Sequence, residues 1–168
     1  MIFTLCGQQG SQKCYPSISH FHYVHPHIFI TTFIVYCAIG YYFCLFDDEY
    51  VFNADGTFQN ILGSETWLET WQGVAEDSCG APVAPHDGNS EYTWELDMEN
   101  NMLTINGLGG YLGLPKAVND GELGNPDNPG TATGSTVYMV EFSDNDTRMI
   151  VDIESGTNVW WRFVMEKQ

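Results

Sequence analysis

Ser135–Glu166 reads STVYMVEFSDNDTRMIVDIESGTNVWWRFVME, and these 32 residues decide the fold class. Three runs alternate apolar with polar. Tyr138, Val140 and Phe142 share one face of the first, Met149, Val151 and Ile153 one face of the second, and Trp161, Phe163 and Met165 one face of the third. Period-two alternation is the pattern of a half-buried strand. The intervening Ser143–Thr147 and Ser155–Thr157 are rich in Asp, Asn, Ser and Gly, the chemistry of tight hairpin turns. Consecutive strands joined by short turns pair antiparallel with their neighbours.

Reading backwards, the pattern recurs. Glu91–Asp97 (EYTWELD) places Tyr92, Trp94 and Leu96 inward, and Met102–Asn106 returns with Leu103 and Ile105 inward. Glu49–Asn53 and Thr57–Leu62 flank an Ala54-Asp55-Gly56 turn, with Tyr50, Phe52, Phe58 and Leu62 inward. Ser64–Gly73 (SETWLETWQG) fits either a helix, with Thr66 and Glu69 as a capping box, or a strand. Cys79–Asn89 and Asn119–Gly134 read as loops from their Gly, Pro, Asn and Asp content, and Gly107–Gly113 is glycine-rich. The expectation is an all-β, antiparallel up-and-down meander, curled into a sheet or small barrel so that one apolar face is buried and the edges are hidden.

Charge divides the chain at Phe46/Asp47. Residues 1–46 hold one base, Lys13, and no acid; residues 47–168 hold all 22 carboxylates and four bases, which yields the net charge of −17. Residues 44–168 therefore read as one acidic β-domain and residues 1–43 as a separate leader. So negative a domain excludes nucleic acid as a partner, because phosphate binding needs Lys and Arg. It suits neutral sugars, small-molecule ligands or cations. In the leader, Ile28–Phe46 is an uncharged stretch of 19 residues, just long enough to span a bilayer but diluted by Thr and Tyr. Any membrane contact is expected through this segment alone. His20, His22, His25 and His27 lack a nearby carboxylate or thiol to complete a metal site, and Pro26 breaks their register.

Five cysteines form no C-x-x-C pair, so zinc and thioredoxin-like chemistry have no support. Cys79 alone lies within the acidic domain and Cys44 stands at its start; the preferred reading is a Cys44–Cys79 disulfide, the alternative two unpaired small hydrophobes. Asp120, Glu122, Asp127, Asp144 and Asp146 are oxygen ligands of the kind Ca²⁺ takes, yet no stretch matches an EF-hand loop, and solvated acidic loops are expected. No cofactor is otherwise implied. His86 stands in a Pro-His-Asp-Gly turn with no Ser or Cys near it in sequence to suggest a triad. Planar aromatics stack on sugar rings, and Trp67, Trp71 and Trp160 are the tryptophans expected to be exposed; Trp94 and Trp161 are expected in the core.

Two resemblances add to this. Glu95, Asp97 and Glu99 (ELDME) resemble the E-x-D-x-E signature of family-16 glycoside hydrolases, whose outer glutamates act as nucleophile and acid/base. Here the inward Tyr92-Trp94-Leu96 alternation turns Glu95 and Asp97 outward, and the domain is too short for that hydrolase sandwich, so a non-catalytic role is expected. FDDEYVFNADGTFQNILGSETWLETWQG (Phe46–Gly73), CGAPVAPHDG (Cys79–Gly88), NGLGGYLGLPKA (Asn106–Ala117) and VWWRF (Val159–Phe163) resemble a small, lipocalin-like domain of secreted marine-bacterial lipoproteins, also found beside family-16 hydrolases and other carbohydrate-active modules. The resemblance implies a secreted or cell-surface accessory domain associated with polysaccharide use. It also implies the Cys44–Cys79 bond, since such relatives carry cysteines at both places. A lipocalin-like pocket for a small apolar ligand is the alternative. Relatives open with a G-T-W-like strand that residues 1–43 lack, which suggests a truncated or misread start and a barrel missing its opening strand.

Overall fold

The computed structural model describes residues 1–5, 18–22 and 43–168. Its strands are β1 (Ile2–Leu5), β2 (Ile18–His22), β3 (Glu49–Phe52), β4 (Thr57–Ile61), β5 (Thr66–Leu68), β6 (Ser78–Gly80) and β7 (Tyr92–Asp97), followed by β8 (Met102–Asn106), β9 (Ala117–Val118), β10 (Gly121–Glu122), β11 (Ser135–Ser143), β12 (Arg148–Glu154) and β13 (Val159–Lys167). Seven of them, β3, β4, β7, β8, β11, β12 and β13, follow one another across the main sheet in chain order, each antiparallel to the next. This is the expected meander, curled on itself. At its N-terminal edge the backbone of β1 bridges first and last strands, pairing three residues with β3 (Ile2↔Val51 onward) and three with β13 (Phe3↔Lys167 onward). Beside it, β2 covers the other half of β13 from Val159↔His22 to Phe163↔Ile18. His25, His27 and the stretch from Ile28 to Tyr42 lie outside the described residues. Among those described, no helix is long and apolar enough to cross a membrane.

Alternation does what the sequence reading asks of it. The β12–β13 register sets Val151 opposite Phe163 and Ile153 opposite Trp161, all four buried. Tyr50, Phe58, Leu103, Ile105, Tyr138, Met149 and Met165 complete the inner surface. Each such side chain contributes about 1.5–3 kcal/mol relative to an exposed one. Turn chemistry fixes the registers: Asp55 accepts hydrogen bonds from the backbone N–H and hydroxyl of Thr57, and Asn101 and Asn158 take the left-handed conformation at hairpin ends.

What strand reasoning does not anticipate is how the interior is filled. The glycine-rich segment after β8 turns inward and plugs the sheet's interior. Tyr111, Leu112 and Leu114 are buried among the strand side chains. Its backbone is held by side chains of the sheet: Asn60 donates to the Tyr111 carbonyl (2.8 Å) and accepts its N–H (3.4 Å), Tyr138 accepts the Leu112 N–H (3.0 Å), and Tyr50 accepts the Gly113 N–H (3.1 Å). These bonds satisfy backbone groups that burial would otherwise leave unpaired. Burial raises the phenol pKa of Tyr50, Tyr111 and Tyr138, so all three stay protonated. Gly113 has φ of 77°, and a Cβ there would enter the Phe163 ring. Only glycine lets the plug pass at that point.

Ser64–Gly73, open between helix and strand from sequence, contains both β5 and a single 3-10 turn, Thr70–Gln72. The expected Thr66–Glu69 capping box does not form; a box three residues on takes its place, in which Glu69 caps the turn and Gln72 reaches back to the Glu69 N–H (2.9 Å). Thr66 instead donates its hydroxyl to Asp48 (2.7 Å). The Cys79 loop begins with β6, which pairs with β5, and the Cys44–Cys79 disulfide ties that ribbon to the start of the domain.

Candidate functional site

An open cleft of about 540 Å³ lies where the 3-10 turn, the end of the plug and the β10 loop meet; Glu69, Trp71, Asp77, Lys116, Glu122 and Asn125 supply its polar and aromatic wall. Glu69 is its hub. One carboxylate oxygen accepts from the Lys116 ammonium (2.8 Å), the other from the Trp71 indole N–H (2.9 Å). The ammonium also stands 5.1 Å from the centre of the Trp161 ring, a cation–π geometry. Trp161 in turn donates its indole N–H to Glu122 (2.7 Å), and Asn125 donates to the other Glu122 oxygen (2.9 Å). Asp77 accepts the Thr70 N–H (2.7 Å), holding the turn that carries Trp71.

Trp71 is half-buried and braced from behind. His86 meets it edge-on at 5.5 Å and itself meets Tyr111 at 6.0 Å, so the plug and the indole are linked through one imidazole. Burial pushes the His86 pKa down, with Asp87 opposing it, and the imidazole is neutral at pH 7. Gly124 passes so close to Trp71 that a Cβ would strike the indole. An aromatic face whose orientation is fixed by packing and by a hydrogen bond loses little entropy when a ligand stacks on it. Carboxylates and one ammonium around it provide acceptors and donors for hydroxyl groups.

The structure separates the three tryptophans expected to act together. Trp67 is 5% exposed and belongs to the core, opposite Cys79 across the β5–β6 ribbon. It cannot be part of a surface platform: Trp67-Leu68 continues a buried strand within Ser64–Gly73, the segment whose ambiguous pattern led to the expectation of exposure. Trp160 is half-buried on the outer face of β13, turned away from the inward Trp161. Trp71 alone lines the cleft. Trp94 and Trp161 pack as expected, Trp94 against Phe52 and Trp161 stacked on Phe163.

Glu95 and Asp97 point outward from β7 and Glu99 lies in the following turn, all three exposed. Asp97 caps that turn, accepting from the Asn100 side chain (2.6 Å), the Asn100 N–H (3.1 Å) and the Glu99 N–H (3.0 Å), and these bonds hold its carboxyl below the usual range. The motif shapes a hairpin. Glu122 departs from the solvated loop expected of it: it is 6% exposed, and its two oxygens accept hydrogen bonds from the Trp161 indole and the Asn125 amide. Among the described residues no group of three or more His, Cys, Asp or Glu side chains is arranged to hold a metal ion. The cavity beside Tyr111 and Pro115 has a volume of about 10 Å³, room for one water at most.

Sequence reasoning found Trp71 but missed Glu69, Lys116 and Glu122 as its neighbours. Lys116 carries a signal in hindsight: it is one of only four bases in residues 47–168, placed at the end of a glycine-rich run. No protein-family model, curated protein or solved structure matches the chain.

Proposed function

We propose that this protein is a non-catalytic binding domain that works outside the cytoplasm, secreted or attached to the cell surface, and takes a short segment of polysaccharide in the Trp71 cleft. The observation that carries the reading is the Trp71 indole, fixed by Glu69, His86 and Gly124 at the edge of a cleft with polar side chains on its other walls. A ring held in that way is a stacking surface for a pyranose, and the surrounding carboxylates and amide are suited to its hydroxyls. The Cys44–Cys79 disulfide is compatible with an oxidising compartment. The alternative of an apolar ligand inside a lipocalin-like barrel has less support, because the Tyr111–Leu114 plug takes up that space.

Calorimetric titration of the full chain with soluble glycans tests the reading. Saturable binding of at least one glycan, lost in Trp71→Ala and kept in Trp160→Ala, is the expected result. Binding unaffected by Trp71→Ala in a folded variant refutes the site.

A further inference from the structure

Resting on that reading, we infer that Glu69 sets the charge selectivity of the cleft: by pairing with Lys116 it makes the site one for neutral glycans and closes it to polyuronates. Lys116 is the cleft's one cation among the described lining residues. Left alone, an ammonium beside an aromatic platform would attract the carboxylates of a uronate chain. Here it is not alone. Glu69 stands 2.8 Å from it with both side chains largely buried, 21% and 14% exposed, so screening by solvent is weak. Asp77 and Glu122 add two further carboxylates to the same wall. A polyanion would meet net negative charge, and like charges set close together disfavour a partner strongly.

The same arrangement leaves neutral recognition intact. An ammonium has three donors, and one is committed to Glu69. Hydroxyls can use donors and acceptors alike without bringing charge. Glu69 is therefore a specificity-determining residue as well as the group that orients Trp71.

The experiment titrates wild type, Glu69→Gln and Glu69→Gln/Lys116→Gln with laminarin, a neutral β-glucan, and alginate, a polyuronate, at low and high salt. Wild type is expected to bind laminarin and to bind alginate at least about tenfold more weakly, a difference of about 1.4 kcal/mol. Glu69→Gln keeps an acceptor for the indole N–H and frees Lys116 from its 2.8 Å partner while Asp77 and Glu122 stay on the wall, so it should gain part of the missing alginate binding, weakening with salt, and the double variant should lose that gain. A merely structural role for Glu69 would lower binding of both polymers and create none. Wild type binding laminarin with no gain of alginate in Glu69→Gln overturns the charge inference and spares the glycan reading. Wild type binding neither polymer while Glu69→Gln takes alginate overturns the neutral-glycan reading and upholds the charge effect of Glu69. No binding by any variant overturns both. Should Glu69→Gln fail to fold, wild type alone decides: alginate affinity equal to laminarin affinity, falling with salt, overturns the inference, and its absence beside laminarin binding sustains it.

Discussion

Replacing Asp48 by Asn should stabilise the protein at neutral pH and hardly at all in acid. Asp48 is 0% exposed, beneath the β5 ribbon. One oxygen accepts the Thr66 hydroxyl; the other has no hydrogen-bond partner among the described residues. Burial raises its pKa from 3.8 to about 8; the Thr66 bond pulls it back down and Asp47 pushes it further up. The folded chain therefore holds a proton that the unfolded chain releases above pH 4. Stability from this group is fully present below the unfolded pKa and is lost as pH rises through the folded one. Each pH unit in that window changes stability by about 1.4 kcal/mol, and some three units separate pH 4 from pH 7, so ionisable Asp48 costs about 4 kcal/mol at pH 7. An asparagine side chain keeps the shape and a neutral partner for Thr66 and has no proton to lose. Urea unfolding of both proteins at pH 4, 5.5, 7 and 8.5 measures the difference, and taking the difference cancels the other carboxylates. It should be near zero at pH 4 and grow to about 4 kcal/mol in favour of the Asp48→Asn variant at pH 7. A difference that does not change with pH would refute the reasoning, since it would mean that Asp48 titrates alike in folded and unfolded chains.

Three further outcomes follow from the same geometry. Cys44→Ala/Cys79→Ala removes a bond across a sequence separation of 35 residues and should lower stability by about 3–4 kcal/mol in chemical unfolding. Gly113→Ala drives a methyl group into the Phe163 ring at a φ of 77°, and should cost about 2 kcal/mol or more, read as a fall in melting temperature with the plug displaced. Glu95→Gln/Glu99→Gln should leave thermal stability within about 0.5 kcal/mol and glycan binding unchanged, because both side chains stand in solvent on a hairpin.

The meander was legible because its signals are local. Alternation in Tyr138-Val140-Phe142 and Trp161-Phe163-Met165, and Asp-Gly or Asn-rich turns between the runs, specify strands and their neighbours without knowledge of anything distant. The plug was not legible for the converse reason. Gly107–Gly113 has the composition of a surface loop, and only contacts with Asn60, Tyr50 and Tyr138, up to 63 residues away, show why it turns inward. Asn60 sits at an inward position of β4, where a polar residue looks like an error in the pattern until its backbone partner is seen. Trp67 misled because Ser64–Gly73 fits helix and strand alike, while a three-residue strand and a 3-10 turn put the two tryptophans in different surroundings. Glu69, Lys116 and Glu122 come together only through the fold, from segments 47 and 39 residues from their partners.

The most direct test of the central claim is residue-level mapping of the binding surface by heteronuclear NMR of the full chain titrated with a laminarin oligosaccharide. Binding in the Trp71 cleft predicts saturable shifts of the Trp71 indole N–H and of the Lys116, Gly124 and Asn125 amides, with Leu112 and Trp160 unmoved. Shifts centred on Leu112 and Tyr111, or on Trp160, would contradict it, placing the ligand inside the sheet or on the outer face of β13.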